Sequence, residues 1–190
     1  MGASGAFDVE QHSVDRTNEI NQTDQTDETD QKDMAVMRII GIGNLFRGDD
    51  AVGLLAARRL RERLDSSVEV LEAEGDGLVL LDLMEGADQV MLIDAVKSGG
   101  HTGTTFRLDL SKESRWGRLV PCSTHAIGIA EAIDLARTLG RLPKRVMLYG
   151  IEIDSLESGA ALSEPVRGGL DSIVEQVLKE IEGISCTKCI

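Results

Sequence analysis

The sequence predicts an α/β fold in which a mostly parallel sheet carries helices on both of its faces. Short aliphatic runs alternate along the chain with longer segments of helical periodicity, and this alternation is typical of β–α–β units. The run at residues 89–95 has an uninterrupted Val-Met-Leu-Ile core, which indicates a strand buried on both faces. The first run ends in Gly41-Ile-Gly43, where a strand can turn tightly into a helix.

Five segments have the character of strands. Residues 37–42, 68–73, 89–95 and 145–153 are short and aliphatic, while residues 104–110 alternate between apolar and polar side chains. The alternation in this last segment is typical of a strand at or next to the edge of a sheet.

Four segments have the periodicity of helices, namely residues 50–64, 78–85, 125–139 and 166–181. In the first of them, Val52, Leu60 and Leu64 can face inward while the arginines between them face solvent. Gly86 and Gly140 are placed to end the second and third helices.

Composition indicates a globular protein with an aliphatic core. Of the 190 residues, 42% are hydrophobic and only 3% are aromatic, and the net charge is −13. We expect such an acidic chain to bind neither nucleic acid nor an anionic membrane surface, because both require clustered Lys and Arg. A run of about 18 apolar residues, as a membrane span requires, is absent from the sequence.

The chain divides by composition into an arm, a domain and a tail. Residues 1–34 are acidic and include a Gln/Thr/Asp run without apolar side chains, which predicts disorder. Residues 35–183 are expected to form the α/β domain, and residues 184–190 a frayed tail. Of the three cysteines, Cys122 is distant from the other two, which favours a reducing cytoplasm over a disulfide framework.

Four polar residues lie where predicted strands end or predicted helices begin. Asp49 and Asp50 open the first helix, and capping explains one of them, which we expect to be Asp49. Asp94 ends an apolar strand, where a buried carboxylate requires a partner. His125 opens the third helix. Open α/β sheets place their sites at the carboxyl edge of the strands, so Asp50, Asp94 and His125 can meet there.

Two carboxylates and an imidazole from three separate elements suit a divalent cation with open coordination positions, such as zinc or nickel. Taken singly, each residue also has a structural explanation as a cap, a turn partner or a surface histidine. A nucleophile formed by Cys122 and His125 is a minor alternative. A dinucleotide site is disfavoured, because Phe46 stands where the third glycine of the fingerprint would be.

Four sequence blocks, with their spacing, resemble the nickel–iron hydrogenase maturation endopeptidases over roughly residues 37–180. The blocks are Gly41-Ile-Gly-Asn44, Asp49-Asp50-Ala-Val-Gly53, Leu92-Ile-Asp94-Ala95 and Ser123-Thr-His125-Ala-Ile-Gly128. The resemblance implies a three-layer sandwich with a twisted five-stranded sheet between helical layers. It also implies a hydrolase that removes the C-terminal extension of a hydrogenase large-subunit precursor after nickel has been inserted.

The resemblance also assigns roles to residues. Asp50, Asp94 and His125 would be the catalytic, metal-contacting residues, and the nickel would be supplied by the substrate, without an organic cofactor. After the second strand, many relatives carry an Asp-Gly-Gly-Thr-like turn where this chain has Glu72-Ala-Glu-Gly-Asp-Gly77. From that position we predict that Glu72, Gly75 and Asp76 bind substrate. Asp76 and Glu74 could shape the peptide channel or only solvate a turn, and for these two the turn is favoured.

Two other functions remain open from the sequence. The same three ligands could form a non-catalytic, nickel-dependent binding or checkpoint module. A Rossmann-type nucleotide-binding enzyme is the weaker alternative, because its glycine fingerprint is incomplete.

Overall fold

The structure, a computed structural model, describes residues 35–74, 78–112, 128–154, 156, 159 and 161–187. Five strands lie in this part of the chain: β1 (Met37–Gly43), β2 (Val68–Glu74), β3 (Gln89–Val96), β4 (Thr105–Asp109) and β5 (Arg145–Glu152). The helices there are α1 (Val52–Arg61), α2 (Leu78–Met84), α3 (Ile129–Thr138) and α4 (Glu164–Thr187), and a short 3-10 helix (Gly48–Ala51) precedes α1.

The strands form one sheet in the order β2-β1-β3-β5-β4. All neighbouring strands pair in parallel except β4, which runs antiparallel to β5 at the edge. The mostly parallel five-stranded sheet is therefore confirmed, as is the edge position of the alternating segment. From β1 the chain goes to β2 on one side of β1. It then returns to β3 on the other side of β1, and β5 and β4 lie beyond β3. The carboxyl ends of β1 and β3 consequently flank a topological switch point, where open α/β sheets bind their ligands.

Helices cover both faces of the sheet, and the strands alternate between them. Ile39 of β1 belongs to a buried cluster with α1 and α4, whereas the next residue, Ile40, belongs to a cluster with α2 and α3. The same alternation makes β3 and β5 apolar on both faces, since each contributes side chains to both clusters. The predicted three-layer sandwich is confirmed.

The helices differ from the prediction mainly at their ends. The segment predicted as one helix over residues 50–64 begins as the 3-10 helix, and α1 ends at Arg61. The last helix, predicted over residues 166–181, is α4 and extends to Thr187. Ile184 packs against the cluster formed with α1 and α4, so apolar contact continues the helix beyond Gly183. Residues 184–187 therefore belong to α4 rather than to the predicted frayed tail.

Several predictions lie outside the described residues. These are the acidic arm at residues 1–34, the start of the third helix at residues 125–127, and two of the cysteines, Cys122 and Cys189. Among the helices that the structure describes, none has the length and apolar character needed to cross a bilayer.

Candidate active site

Two glycines bring α1 into direct contact with the sheet below the switch point. A Cβ atom on Gly41 would lie 2.2 Å from the carbonyl oxygen of Gly53. A Cβ atom on Gly53 would lie 2.2 Å from the carbonyl oxygen of Ile42 and 2.3 Å from that of Ile93. Only glycine fits at these positions. The start of α1 is therefore held over the ends of β1 and β3, and the 3-10 helix that carries Asp49 and Asp50 is held with it.

The turn between β1 and the 3-10 helix is closed by backbone hydrogen bonds. The amide of Asn44 donates to the carbonyl oxygen of Asp50 (3.3 Å), and the amide of Arg47 donates to that of Asn44 (3.1 Å). The amide of Asp50 donates in turn to the carbonyl oxygen of Arg47 (3.1 Å). A Cβ atom on Gly43 would lie 2.0 Å from the Asp50 carbonyl oxygen. The turn is therefore compact and fixes where Asp50 stands.

Asp50 and Asp94 are buried together at the switch point, with 2% and 3% of their surface exposed. Burial raises the pKa of Asp94 well above its usual range, and the negative charge of Asp50 raises it further. A hydrogen bond from the Ala95 amide to Asp94 Oδ1 (2.8 Å) opposes this rise only in part. The structure thus brings together the two carboxylates that the sequence singled out, in a setting that disfavours two negative charges without a cation or a proton.

Asp49 has a structural role, but with a different helix from the one predicted. Its Oδ1 accepts a hydrogen bond from the Ser163 amide (2.7 Å) and its Oδ2 accepts one from the Ser163 hydroxyl (2.9 Å). Ser163 precedes α4, and its carbonyl oxygen accepts the first helical hydrogen bond, from Arg167 (3.0 Å). The 3-10 helix and α1 have no side-chain cap. The expected cap on the helix that follows Asp49 was therefore wrong, and Asp49 instead ties the 3-10 helix to α4.

Glu152 is a buried carboxylate at the same edge that the sequence analysis did not select. Its Oε1 accepts hydrogen bonds from three successive amides of the loop after β3, Ser98 (2.7 Å), Gly99 (2.8 Å) and Gly100 (3.0 Å). Its Oε2 accepts one from the Ser98 hydroxyl (2.6 Å). Burial alone would raise the pKa of Glu152, but these donors lower it below the usual value. The available signal was that Glu152, like Asp94, is an acidic residue near the carboxyl end of an otherwise apolar strand.

Glu72 is not brought to the two aspartates. Its carboxylate forms ion pairs with Arg58 (2.9 Å) and Arg61 (2.8 Å) of α1. The hydrogen bond from Arg58 is the main cause that lowers the pKa of Glu72. In the strand register Glu72 lies on the same face of the sheet as Ile93, whereas Asp94 projects from the opposite face. Substrate binding by Glu72 stays a prediction, and the ion pairs give the side chain a structural role.

Three further predicted site residues, Gly75, Asp76 and His125, lie outside the described residues. Cys122 of the alternative nucleophile lies outside them as well. Within the described part of the chain, no three His, Cys, Asp or Glu side chains form a group that could hold a metal ion. The predicted three-ligand set accordingly depends on His125, and the structure supplies two of its three members.

Comparisons with known proteins match the chain across this region. The model of a family described as hydrogenase maturation protease matches residues 53–180. Hydrogenase 2 maturation protease of Escherichia coli K12 is 29% identical over 142 residues, which cover 74% of this chain and 87% of that protein. The hydrogenase expression/formation protein HupD of Bradyrhizobium diazoefficiens is 32% identical over 151 residues, 75% of this chain and 77% of that protein.

The fold is similar to that of a solved endopeptidase. The structure of the hydrogenase maturating endopeptidase HybD from E. coli superposes with a TM-score of 0.66 at 26% sequence identity. The superposition covers 78% of this chain and 93% of HybD. The similarity therefore extends over nearly the whole of that enzyme and includes the strands that end at the switch point.

Proposed function

This chain belongs to the hydrogenase maturation protease family, and we propose that it removes the C-terminal extension from the large-subunit precursor of a nickel–iron hydrogenase. The family match confirms the resemblance and the assignment of the chain to the endopeptidases, a class of hydrolases. The observation that carries the proposal is the buried pair Asp50 and Asp94 at the switch point of the sheet.

We propose that nickel reaches this pair as part of the substrate. Two carboxylates at one buried position repel each other, and the raised pKa of Asp94 reflects that repulsion together with the loss of water. A divalent cation would neutralise both groups, whereas in the free protein a proton on Asp94 can take its place. Carboxylate oxygens and a histidine nitrogen suit a cation such as nickel. A site of this kind favours a precursor that already carries the metal over one that does not.

His125 remains the proposed third contact. It precedes Gly128 by three residues, and three extended residues span at most about 11 Å. Gly128 is the N-cap of α3, and α3 packs on the face that carries Leu92. Side chains two residues apart in a strand share a face, so Asp94 projects to this same side. The helix that follows His125 in the sequence therefore packs on the side of the sheet from which Asp94 projects, which supports the choice of His125 as the third contact.

Hydrolysis then requires a water molecule, a polarised peptide carbonyl and a proton acceptor. The substrate's nickel would polarise the carbonyl or orient the scissile peptide. The water oxygen attacks the carbonyl carbon, the C–N bond breaks, and the proton taken from the water is delivered to the departing amine. We propose that the proton is accepted by whichever carboxylate of the pair does not contact the cation. The other carboxylate would keep the cation in place.

The direct test incubates the protein with nickel-loaded and nickel-free precursor and measures the mass of the precursor's C-terminus. We expect shortening only with nickel, and a loss of at least about 100-fold in rate for Asp50→Asn, because a charge at the reacting centre is removed. The matched control is Glu175→Gln, since Glu175 pairs with Arg63 on the surface and the loss of this pair should leave the rate unchanged. If no shortened product forms while Asp50→Asn still abolishes binding, the protein is the checkpoint module instead.

We also propose that the protein works in the cytoplasm, on a protein partner rather than on nucleic acid or a membrane. The spacing of the three cysteines supports a reducing compartment, and the net charge of −13 disfavours polyanionic partners.

A further inference from the structure

Phe46 exposes more of its side chain than any other large apolar residue in the described part of the chain. It is 78% exposed, whereas the next, Leu139, is 53% exposed. The sequence contains only three Phe, one Tyr and one Trp, and Tyr149 is fully buried. Placing one of so few aromatic rings in water forgoes the stabilisation that its burial would give.

The exposure of Phe46 does not result from a loose backbone. Its amide donates to Oδ1 of Asn44 (2.9 Å), and its carbonyl oxygen accepts from the amide of Gly159 (2.9 Å). The amide of Arg47, which follows, donates to the carbonyl oxygen of Asn44 (3.1 Å). Both backbone polar groups of Phe46 are therefore satisfied. The turn fixes the backbone from which the ring projects, which lowers the entropy lost when a partner covers it.

The position of Phe46 relates the ring to the site. It lies four residues before Asp50, in the turn that leaves β1 at the switch point. The hydrogen bond between the Asn44 amide and the Asp50 carbonyl oxygen closes that turn. Phe46 and Asp50 thus belong to one turn at the carboxyl edge of the sheet, the edge where the proposed substrate binds. The ring is thus placed where it can contact the substrate outside the buried carboxylate pair.

We propose that Phe46 is a docking residue for the precursor, whose apolar side chains beside the cleaved segment bury the ring when the two proteins associate. The inference rests on the proposed function, because it takes the precursor as the partner. The phenyl ring has no acidic or basic group and carries no charge, so it acts on association and leaves the chemical step to the carboxylates. Aromatic anchors that become buried at the centre of an interface commonly dominate its affinity.

The test compares the wild type with Phe46→Ser, Phe46→Leu and Leu139→Ser. Leu139 is a matched control, since it is exposed but follows the last residue of α3. It precedes the amino end of β5 and so lies away from the carboxyl edge that carries the site. Cleavage rates are measured over a range of nickel-loaded precursor concentrations to give KM and kcat. The dissociation constant is measured separately with Asp50 intact, by stopped-flow fluorescence anisotropy of labelled, nickel-loaded precursor with each variant, over a time shorter than one turnover. Thermal unfolding confirms that each variant is folded.

We expect Phe46→Ser to raise KM and the dissociation constant about tenfold or more, the value of burying one Phe side chain. The kcat should stay within about twofold, Phe46→Leu should recover most of the affinity, and Leu139→Ser should match the wild type. Unchanged KM and affinity in Phe46→Ser, or a fall in kcat alone, would overturn the inference. If the wild type binds precursor without cleaving it, the proposed function fails and the affinities still decide on Phe46. If it neither binds nor cleaves, both are overturned.

Discussion

At the scale of single residues, the buried carboxylates divide by what hydrogen-bonds to them. Asp49 and Glu152 each accept hydrogen bonds from another element, Asp49 from Ser163 and Glu152 from the loop after β3. Asp94 accepts one from the amide that follows it, and the charge of Asp50 raises its pKa in addition to burial. The first two carboxylates therefore stabilise the fold around the site. Asp94, buried beside Asp50, has the perturbed pKa that marks a functional site.

The contact between Asp49 and Ser163 gives a prediction for stability. We expect Asp49→Ala and Ser163→Ala each to lower the unfolding free energy by about 1–2 kcal/mol, because the two hydrogen bonds that join the 3-10 helix to α4 are lost. The double variant should lose less than the sum, with a coupling of about 1 kcal/mol. Urea denaturation of the four proteins measures the cycle.

The control for this cycle is Asp171→Ala in the same helix. Asp171 pairs with Arg59 on the surface, and such pairs contribute about 0–1 kcal/mol. Strictly additive losses for Asp49→Ala and Ser163→Ala, or an equal loss at Asp171, would show that Asp49 does not join the 3-10 helix to α4.

At the scale of elements, the contact of α1 with β1 and β3 sets the position of the site. Gly53 is inside a helix, where alanine is normally favoured by about 1 kcal/mol. Packing reverses this preference, because a Cβ atom there would lie 2.2–2.3 Å from the carbonyl oxygens of Ile42 and Ile93. At its first turn, α1 therefore contacts the sheet through its backbone rather than through interlocking side chains.

We therefore expect opposite effects from two Gly→Ala changes in helices. Gly53→Ala should destabilise the protein by about 1–3 kcal/mol, the usual cost of overpacking, and should lower peptidase activity because the 3-10 helix must shift. Gly168→Ala in α4 adds a Cβ atom with no neighbour within 4 Å and should stabilise by up to about 1 kcal/mol. Thermal unfolding and cleavage assays distinguish the two. Equal shifts for both variants would contradict the packing argument.

The elements show what the sequence could and could not predict. Each strand was placed within one residue at both ends, because aliphatic runs bounded by polar residues mark the pleated, buried segments directly. The partners of buried carboxylates were not predictable, since Asp49 and Ser163 are 114 residues apart and Ser98 and Glu152 are 54 apart. Local patterns contain no information on which distant backbone amide will meet a carboxylate. The end of α4 was missed for a similar reason, because Ile184 is held by tertiary contact.

At the scale of the whole molecule, strand order creates the site. Asp50 follows β1 and Asp94 lies near the carboxyl end of β3, and the two meet because the sheet places β3 beside β1 with β2 on the other side. Each residue was identifiable from its place at a strand end, and their meeting was predictable from the general rule for open α/β sheets. Their shared burial was not visible in the sequence, because it depends on the glycine contacts that hold α1 over the edge.

The buried carboxylates also give the molecule opposing pH dependences of stability. Burial alone would raise the pKa of Glu152, but its hydrogen-bond donors lower it below the ordinary 4.5. Its contribution is therefore present above that value and is lost as the pH falls through the lower, folded pKa. Asp94 behaves in the opposite way, because burial and Asp50 raise its pKa well above the ordinary 3.8. The folded state binds the Asp94 proton more tightly than the unfolded state. The unfolding free energy therefore falls as the pH rises from 3.8 through the folded pKa of Asp94.

We expect Asp94→Asn to remove the fall on the alkaline side and to raise the unfolding free energy at neutral pH by on the order of 1 kcal/mol, a gain typical of relieving a functional site. The amide keeps Oδ1 for the Ala95 hydrogen bond while removing the charge beside Asp50.

Glu152→Gln should instead destabilise the protein at neutral pH, because the Glu152 carboxylate accepts hydrogen bonds from Ser98, Gly99 and Gly100. Urea denaturation between about pH 2 and pH 8 tests both, since linkage confines each pH effect to the window between the folded and unfolded pKa values, which lies below 4.5 for Glu152 and above 3.8 for Asp94. If wild type and Asp94→Asn keep a constant difference in stability over that range, Asp94 does not titrate within it, and the proton would not be what balances the buried pair before a cation arrives.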